Sequence, residues 1–237
     1  MMKKLFAVLM AALMVLSVAA CGGSDASQAP ADTQAPADTQ APADTQAPDD
    51  TQASADAAYA YPACDDANPV VELNGTFDKT LVKEGYAVTS IGQSADIDVA
   101  AKLLDKAGVT YTSDTHLAAD ALDGVGTLFI AAGASTKGLG QAGISADEEI
   151  ARANEIFKAC DEKGITVILL HLGGSARRGS LSDQFTDLVM AAADYMIVVE
   201  EGNQDGYFTD YAAANNIPIA LVKSMSTATT PVGALFN

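Results

Sequence analysis

The chain has 237 residues, with 31 Asp and Glu against 13 Lys and Arg, a formal net charge of −18, three Cys, two His and no Trp. That balance excludes a basic nucleic-acid binder and a disulfide-built scaffold, and the presence of only one long apolar run excludes a multi-span membrane protein. Nucleic acid and anionic lipid surfaces are poor partners for so acidic a chain.

Residues 1–20 open with Lys3 and Lys4, continue as an apolar run from Leu5 to Leu16 and end in Ser17-Val18-Ala19-Ala20 ahead of Cys21. The run is too short for a spanning helix of ~20 residues and reads as a secretory signal. Val18-Ala19-Ala20-Cys21 resembles the bacterial lipobox, which implies lipidation of Cys21, a bilayer as partner and an extracytoplasmic, membrane-anchored mature protein. The alternative is an ordinary signal with a Cys near its cleavage point. Two or three acyl chains at ~0.8 kcal/mol per buried methylene would anchor the chain without further help.

Residues 21–63 form a linker. From Ala29 to Gln52 the unit APADTQ occurs three times and is followed by APDDTQ, and no Leu, Ile, Val or Phe stands between Gly22 and Ala63. Nothing there repays the entropy of folding, so a disordered, semi-stiff, proline-punctuated arm is expected. At ~3.1 Å per residue such an arm reaches on the order of 120 Å when fully extended. Its seven Asp repel one another and an anionic membrane surface; the repeat could alternatively be a ligand itself or carry glycans on its Thr residues. Without Lys3 and Lys4 the net charge is −20, and without the seven Asp it is −13 on residues 64–237.

Residues 64–237 suffice for one domain. Near-continuous apolar runs at Tyr86–Ile91, Thr127–Ala132, Thr166–His171, Tyr195–Val199 and Ile217–Val222 predict buried parallel strands, with a further short strand at Thr110–Thr112. Helices are predicted at Ser94–Ala107, Ser145–Lys163, Leu181–Ala193 and Gly206–Asn215, with a short one at Leu117–Leu122. Ser94 is the expected cap of the first. Ser145 and Glu148 form a capping box for the second, whose stripe is Ala151, Ile156, Phe157 and Cys160 and whose stop is Lys163-Gly164. The alternation predicts an α/β fold, a three-layer, mostly parallel open sheet of Rossmann-like or flavodoxin-like type. Numbering the predicted strands from Tyr86, the order is 2-1-3-4-5 with the sixth at the far edge.

Ligands in such sheets settle beyond the carboxyl ends of the strands where the order switches. The loops there are rich in Gly and small polar residues: 92–96, 133–140, 173–180 and 201–206. Glycine allows close backbone approach, so these loops can aim N–H groups into a pocket. Two of the three Arg, Arg177 and Arg178, stand side by side in one of them. With Lys137 they could bind a carboxylate or phosphate, or else pair with Asp96, Asp183, Glu200, Glu201 or Asp205 and tie the loops together. Gln93, Ser94 and Asn203 complete the expected polar shell of a small anionic or zwitterionic ligand.

Other constellations are weaker. Gly138-Leu139-Gly140-Gln141-Ala142-Gly143 fits the dinucleotide pattern, but it begins several residues beyond its strand and meets Asp147, Glu148 and Glu149 where pyrophosphate needs positive potential. Lys137 precedes Gly138, which rules out a Walker sequence, and no cofactor is expected. His171 reads as a core residue and His116 as a polar-loop residue without a visible partner. No Cys/His grouping or G-x-S-x-G supports a zinc site or a serine nucleophile. Asp96, Glu200 and Asp205 could gather around a hard cation. Cys64 and Cys160 could form a disulfide, or stand as an exposed thiol and a buried one.

Gly92-Gln93-Ser94-Ala95-Asp96, the Gly138-Leu139-Gly140 turn, the segment Ala176-Arg177-Arg178-Gly179-Ser180-Leu181-Ser182-Asp183 and the segment Glu201-Gly202-Asn203-Gln204-Asp205-Gly206-Tyr207-Phe208-Thr209 together carry a resemblance to an uncharacterised family of bacterial exported proteins, a domain of unknown function. It spans about Tyr86 to Phe236. The resemblance implies a secreted or lipid-anchored α/β domain and assigns no activity. Three classes stand open: a tethered solute-binding module; a hydrolase or transferase using Asp96 or Asp205 as base and the Arg pair as anion clamp; and a surface module that binds another protein.

Overall fold

A computed structural model describes residues 61–237. The expected signal peptide, Cys21 and the repeat lie outside the described residues. The elements are β1 (Val70–Leu73), β2 (Tyr86–Ile91), α1 (Ile97–Lys106), β3 (Tyr111–Ser113), β4 (Thr127–Ala132), α2 (Thr136–Ala142), α3 (Ala146–Lys163), β5 (Thr166–His171), α4 (Ser180–Ala192), β6 (Tyr195–Val199), α5 (Tyr207–Asn215), β7 (Ile219–Val222) and α6 (Thr229–Ala234). They build one seven-stranded sheet in the order β1-β7-β6-β5-β4-β2-β3. Every pairing is parallel except β1 with β7.

The five apolar runs are strands because both faces of the sheet are covered. Leu128, Ile130, Leu169, Val198 and Leu221 pack on one face beneath Ile156 of α3, Phe185 of α4 and Phe208 of α5. Phe129, Ile168, Leu170, Ile197 and Val222 pack on the other beneath Leu103 and Leu104 of α1 and Val232 of α6. The six expected strands occur in the expected order, with β2 as the first of them. The sixth, β7, is not the edge strand expected, because β1 lies beyond it, paired from Val70↔Val222 to Leu73↔Ile219. Pro218 lacks an N–H, so β7 starts one residue after it rather than at Ile217.

Helix α3 keeps its capping box: Ser145 Oγ accepts from Glu148 N, and the Glu148 carboxylate accepts from Ser145 N. Gly164, at φ 64°, closes it in the left-handed conformation. The stripe differs from expectation, because Ala151 is exposed and the buried line runs Glu149, Ala153, Ile156, Cys160. Ser94 does not cap α1. Asp96 is the N-cap and makes no side-chain cap bond, because Arg177 claims its carboxylate, as described below. Leu117–Leu122 contributes only a 3-10 turn, Ala119–Leu122. Among the described residues no helix is long and apolar enough to cross a membrane.

Candidate functional site

The strand order reverses at β2, which has β3 on one side and β4 on the other. The loops that leave the carboxyl ends do meet, and glycine is what lets them. A Cβ on Gly92 would stand 2.4 Å from the Gly133 carbonyl oxygen, and one on Gly138 would stand 2.0 Å from that of Gln93. Ser135 N donates to Gly92 O at 2.9 Å, and Gln93 bridges to Ala134. The glycine content thus serves contact between loops as much as any pocket.

Over the β5–β6 half the rim is closed by ion pairs. Arg178 donates through Nε to Asp183 at 2.9 Å and through Nη2 to Asp205 at 2.9 Å, bonds the Gly202 carbonyl, and stacks 4.0 Å over the Tyr207 ring. Burial pulls the Arg178 guanidinium down, yet its bonds to Asp205 and Asp183 more than offset this and hold it above its ordinary value. Arg177 grips Asp96 with two nitrogens, at 3.1 and 3.2 Å, and donates from Nε to Ser94 Oγ at 2.9 Å. Both guanidinium groups are therefore committed to neighbouring acids, the loop-tying arrangement, and offer no open anion clamp. Asp96 and Asp205, the acids named for a base, serve as their counter-ions.

Asn203 is wholly buried, and its Oδ1 accepts from Phe208 N at 2.8 Å and Thr209 N at 3.1 Å, which caps α5. It faces no ligand. His171 is buried against Phe208, with ring centroids 4.6 Å apart, and its Nε2–H donates to Gly174 O at 3.1 Å. Burial pulls its pKa down to about 4, so it stays neutral at physiological pH. The backbone N–H of Cys64 donates to Glu200 at 2.9 Å; of the two alternatives for Cys64 and Cys160, no disulfide joins them, and Cys64 is half-buried rather than exposed. Among the described residues no three His, Cys, Asp or Glu side chains gather as a metal centre requires, so Asp96, Glu200 and Asp205 build none.

The β2 half is open. A cleft of about 640 Å³ lies there, lined by Gln93, Ser94, Asp98, Asp114, His116 and Lys137 among others. Three of the expected shell, Gln93, Ser94 and Lys137, line it; Arg177, Arg178 and Asn203 do not. Gly138 and Gly140 of the dinucleotide-like pattern sit inside α2, and Gly143 is its left-handed C-cap at φ 67°, so the pattern forms a helix rather than a phosphate turn.

Under the cleft lies a buried pair, Glu149 and Arg152, that is not among the expected site residues. The wholly buried Glu149 carboxylate accepts from Gly92 N at 2.8 Å, Gln93 Nε2 at 3.1 Å and Arg152 Nε at 2.8 Å. Arg152 also donates to Leu117 O at 2.8 Å and to the carbonyl of Ser90. Burial alone would raise the Glu149 pKa, but the Arg152 guanidinium beside it, with Gly92 and Gln93, holds it below the usual carboxylate value. The pair joins the end of β2 to the segment after β3 and so fixes two walls of the cleft. It also fixes Gln93, whose φ of 58° is left-handed.

Fold and site together define a doubly wound α/β domain with a cleft of largely polar residues at its strand-order switch. Residues 83–236 match the family described as a domain of unknown function (DUF6305), and the chain belongs to that family. No curated protein matches the chain.

Proposed function

We propose that the chain is a lipid-anchored extracytoplasmic binding module that takes a small polar solute in the cleft over β2. The observation that carries this reading is the cleft itself, which sits where an open α/β sheet of this order presents ligands. It is polar, and Lys137, Asp98 and the His116 ring line it without an ion pair among the described residues. The acids named for an enzyme are held by arginines. Met225 is the exposed large hydrophobic side chain among the described residues, a meagre basis for a protein-docking patch.

A thermal-shift screen of amino acids, small organic acids, amines, sugars and phosphates tests the binding claim. A solute at ~100 times its Kd stabilises by about 2.7 kcal/mol, which at 2–4 °C per kcal/mol for a domain of this size is roughly 5–10 °C. The shift should vanish in Gln141→Trp, which fills the cleft from an exposed position on α2. A stabilising solute that protects this variant equally would place binding elsewhere, and a screen with no stabiliser would count against a solute site.

The anchor rests on Val18-Ala19-Ala20-Cys21. In a bacterial host fed labelled palmitate, the full chain should incorporate label and sediment with membranes, whereas Cys21→Ser should do neither. Equal labelling of the two forms would remove the anchor.

A further inference from the structure

We infer that the cleft is dipolar and selects a zwitterion, a molecule with an ammonium and a carboxylate of the amino-acid or short-peptide class, rather than a plain anion. This rests on the reading of the cleft as a solute site. The first reason is the accounting of cations. All three arginines are consumed by Glu149, Asp96, Asp183 and Asp205. Lys137 is the lone Lys or Arg lining the cleft and makes no ion pair among the described residues. Against it stand Asp98 and Asp114, so the lining carries one formal positive and two formal negative charges when His116 is neutral. A phosphate or dicarboxylate entering there meets more repulsion than attraction.

The second reason is where those charges lie. Lys137 is on the first turn of α2, which follows β4, whereas Asp114 and His116 follow β3. Helix α2 leans over the end of β2, with Gly138 packed on the Gln93 carbonyl, so Lys137 and Asp114 enter the lining from two different elements. Asp98, an exposed acid on the first turn of α1 after β2, adds negative potential to the lining. Asp114 is already oriented, since its Oδ1 accepts from His116 N at 2.8 Å. A bound zwitterion lies across β2 with its ammonium toward Asp114 and Asp98 and its carboxylate toward Lys137. Ser113, Ser135 and Gln141 complete the polar lining between them.

The test titrates the isotope-labelled full chain, followed by amide resonances, with four pools: free amino acids, their N-acetyl forms (anionic end only), their amides (cationic end only), and uncharged sugar alcohols. The free amino acids should move the amides of Gln93, Ser94, Lys137 and Gly138, with the two singly charged pools at least tenfold weaker. Lys137→Gln, an exposed substitution, should abolish the advantage of free amino acids over their amides, and Asp114→Asn their advantage over the N-acetyl forms. Equal or tighter binding of the N-acetyl pool, or retention of both preferences in the variants, would overturn the dipolar assignment. Movement by the sugar alcohols alone would overturn it while keeping the cleft as a solute site. Silence from all four pools would overturn both.

Discussion

Arg152→Met should be among the most damaging single substitutions in the domain, at about 3–5 kcal/mol near neutral pH, because it strands a wholly buried carboxylate. Urea unfolding at a series of pH values checks this and carries a signature. In the parent protein the Glu149 carboxyl has a lower pKa folded than unfolded. Its contribution is therefore present above the unfolded value of about 4.3 and is lost as pH falls through the folded one. In Arg152→Met burial is left to dominate, and the carboxyl is pushed up instead. That variant should recover relative to the parent as the pH drops from 7 toward 4 and Glu149 takes up a proton. A deficit that stayed constant over that range would mean that packing, not the stranded charge, set the cost. The amides of Gln93 and Leu117 should also lose protection from hydrogen exchange, since the pair holds both segments.

Arg178→Met should cost about 2–4 kcal/mol, less than Arg152→Met because Asp205 is 60% exposed and water screens it. The loss comprises two carboxylates left facing one another, the freed Gly202 carbonyl and the stack on Tyr207. By calorimetry the midpoint should fall by roughly 4–16 °C. Arg178→Lys should restore only part of it, since an ammonium cannot reproduce the planar fork that reaches Asp183 and Asp205 together. Solute binding in the cleft should be unaffected in either variant at temperatures where both are folded. A folded Arg178→Met protein that no longer bound solute would return the arginine to the ligand shell.

The contrast between these arginines shows what the amino-acid order could reveal. The strands were legible because runs such as Thr166–His171 are apolar at every position but the ends, which only a strand covered on both faces tolerates. Their sequence of pairings followed from right-handed crossovers, and with it the place of the cleft. Four-residue β1 and the short helices α2 and α6 carry too few residues for a period to emerge, and α2 contains two glycines.

Within the site, Arg178 beside glycines reads alike whether its partner is a ligand or Asp183. The partner is set by the folding of loops that lie 5 to 27 residues apart. Glu149 was legible in principle. It falls in register with Ala153, Ile156 and Cys160, an acid on a buried stripe with Arg152 three residues on, but the run Asp147-Glu148-Glu149 reads as charge favouring a helix start.

The chain enters this fold at the margin opposite the cleft. Tyr61 donates to Asp210, Cys64 to Glu200 and Lys223 to Asp66 before β1 begins. Between β1 and β2 lie five strand spacings, roughly 24 Å. A pull from upstream of Tyr61 would therefore load the contacts of Tyr61, Cys64 and Asp66 and then the β1–β7 seam, and would reach Gln93 and Lys137 only through the width of the sheet.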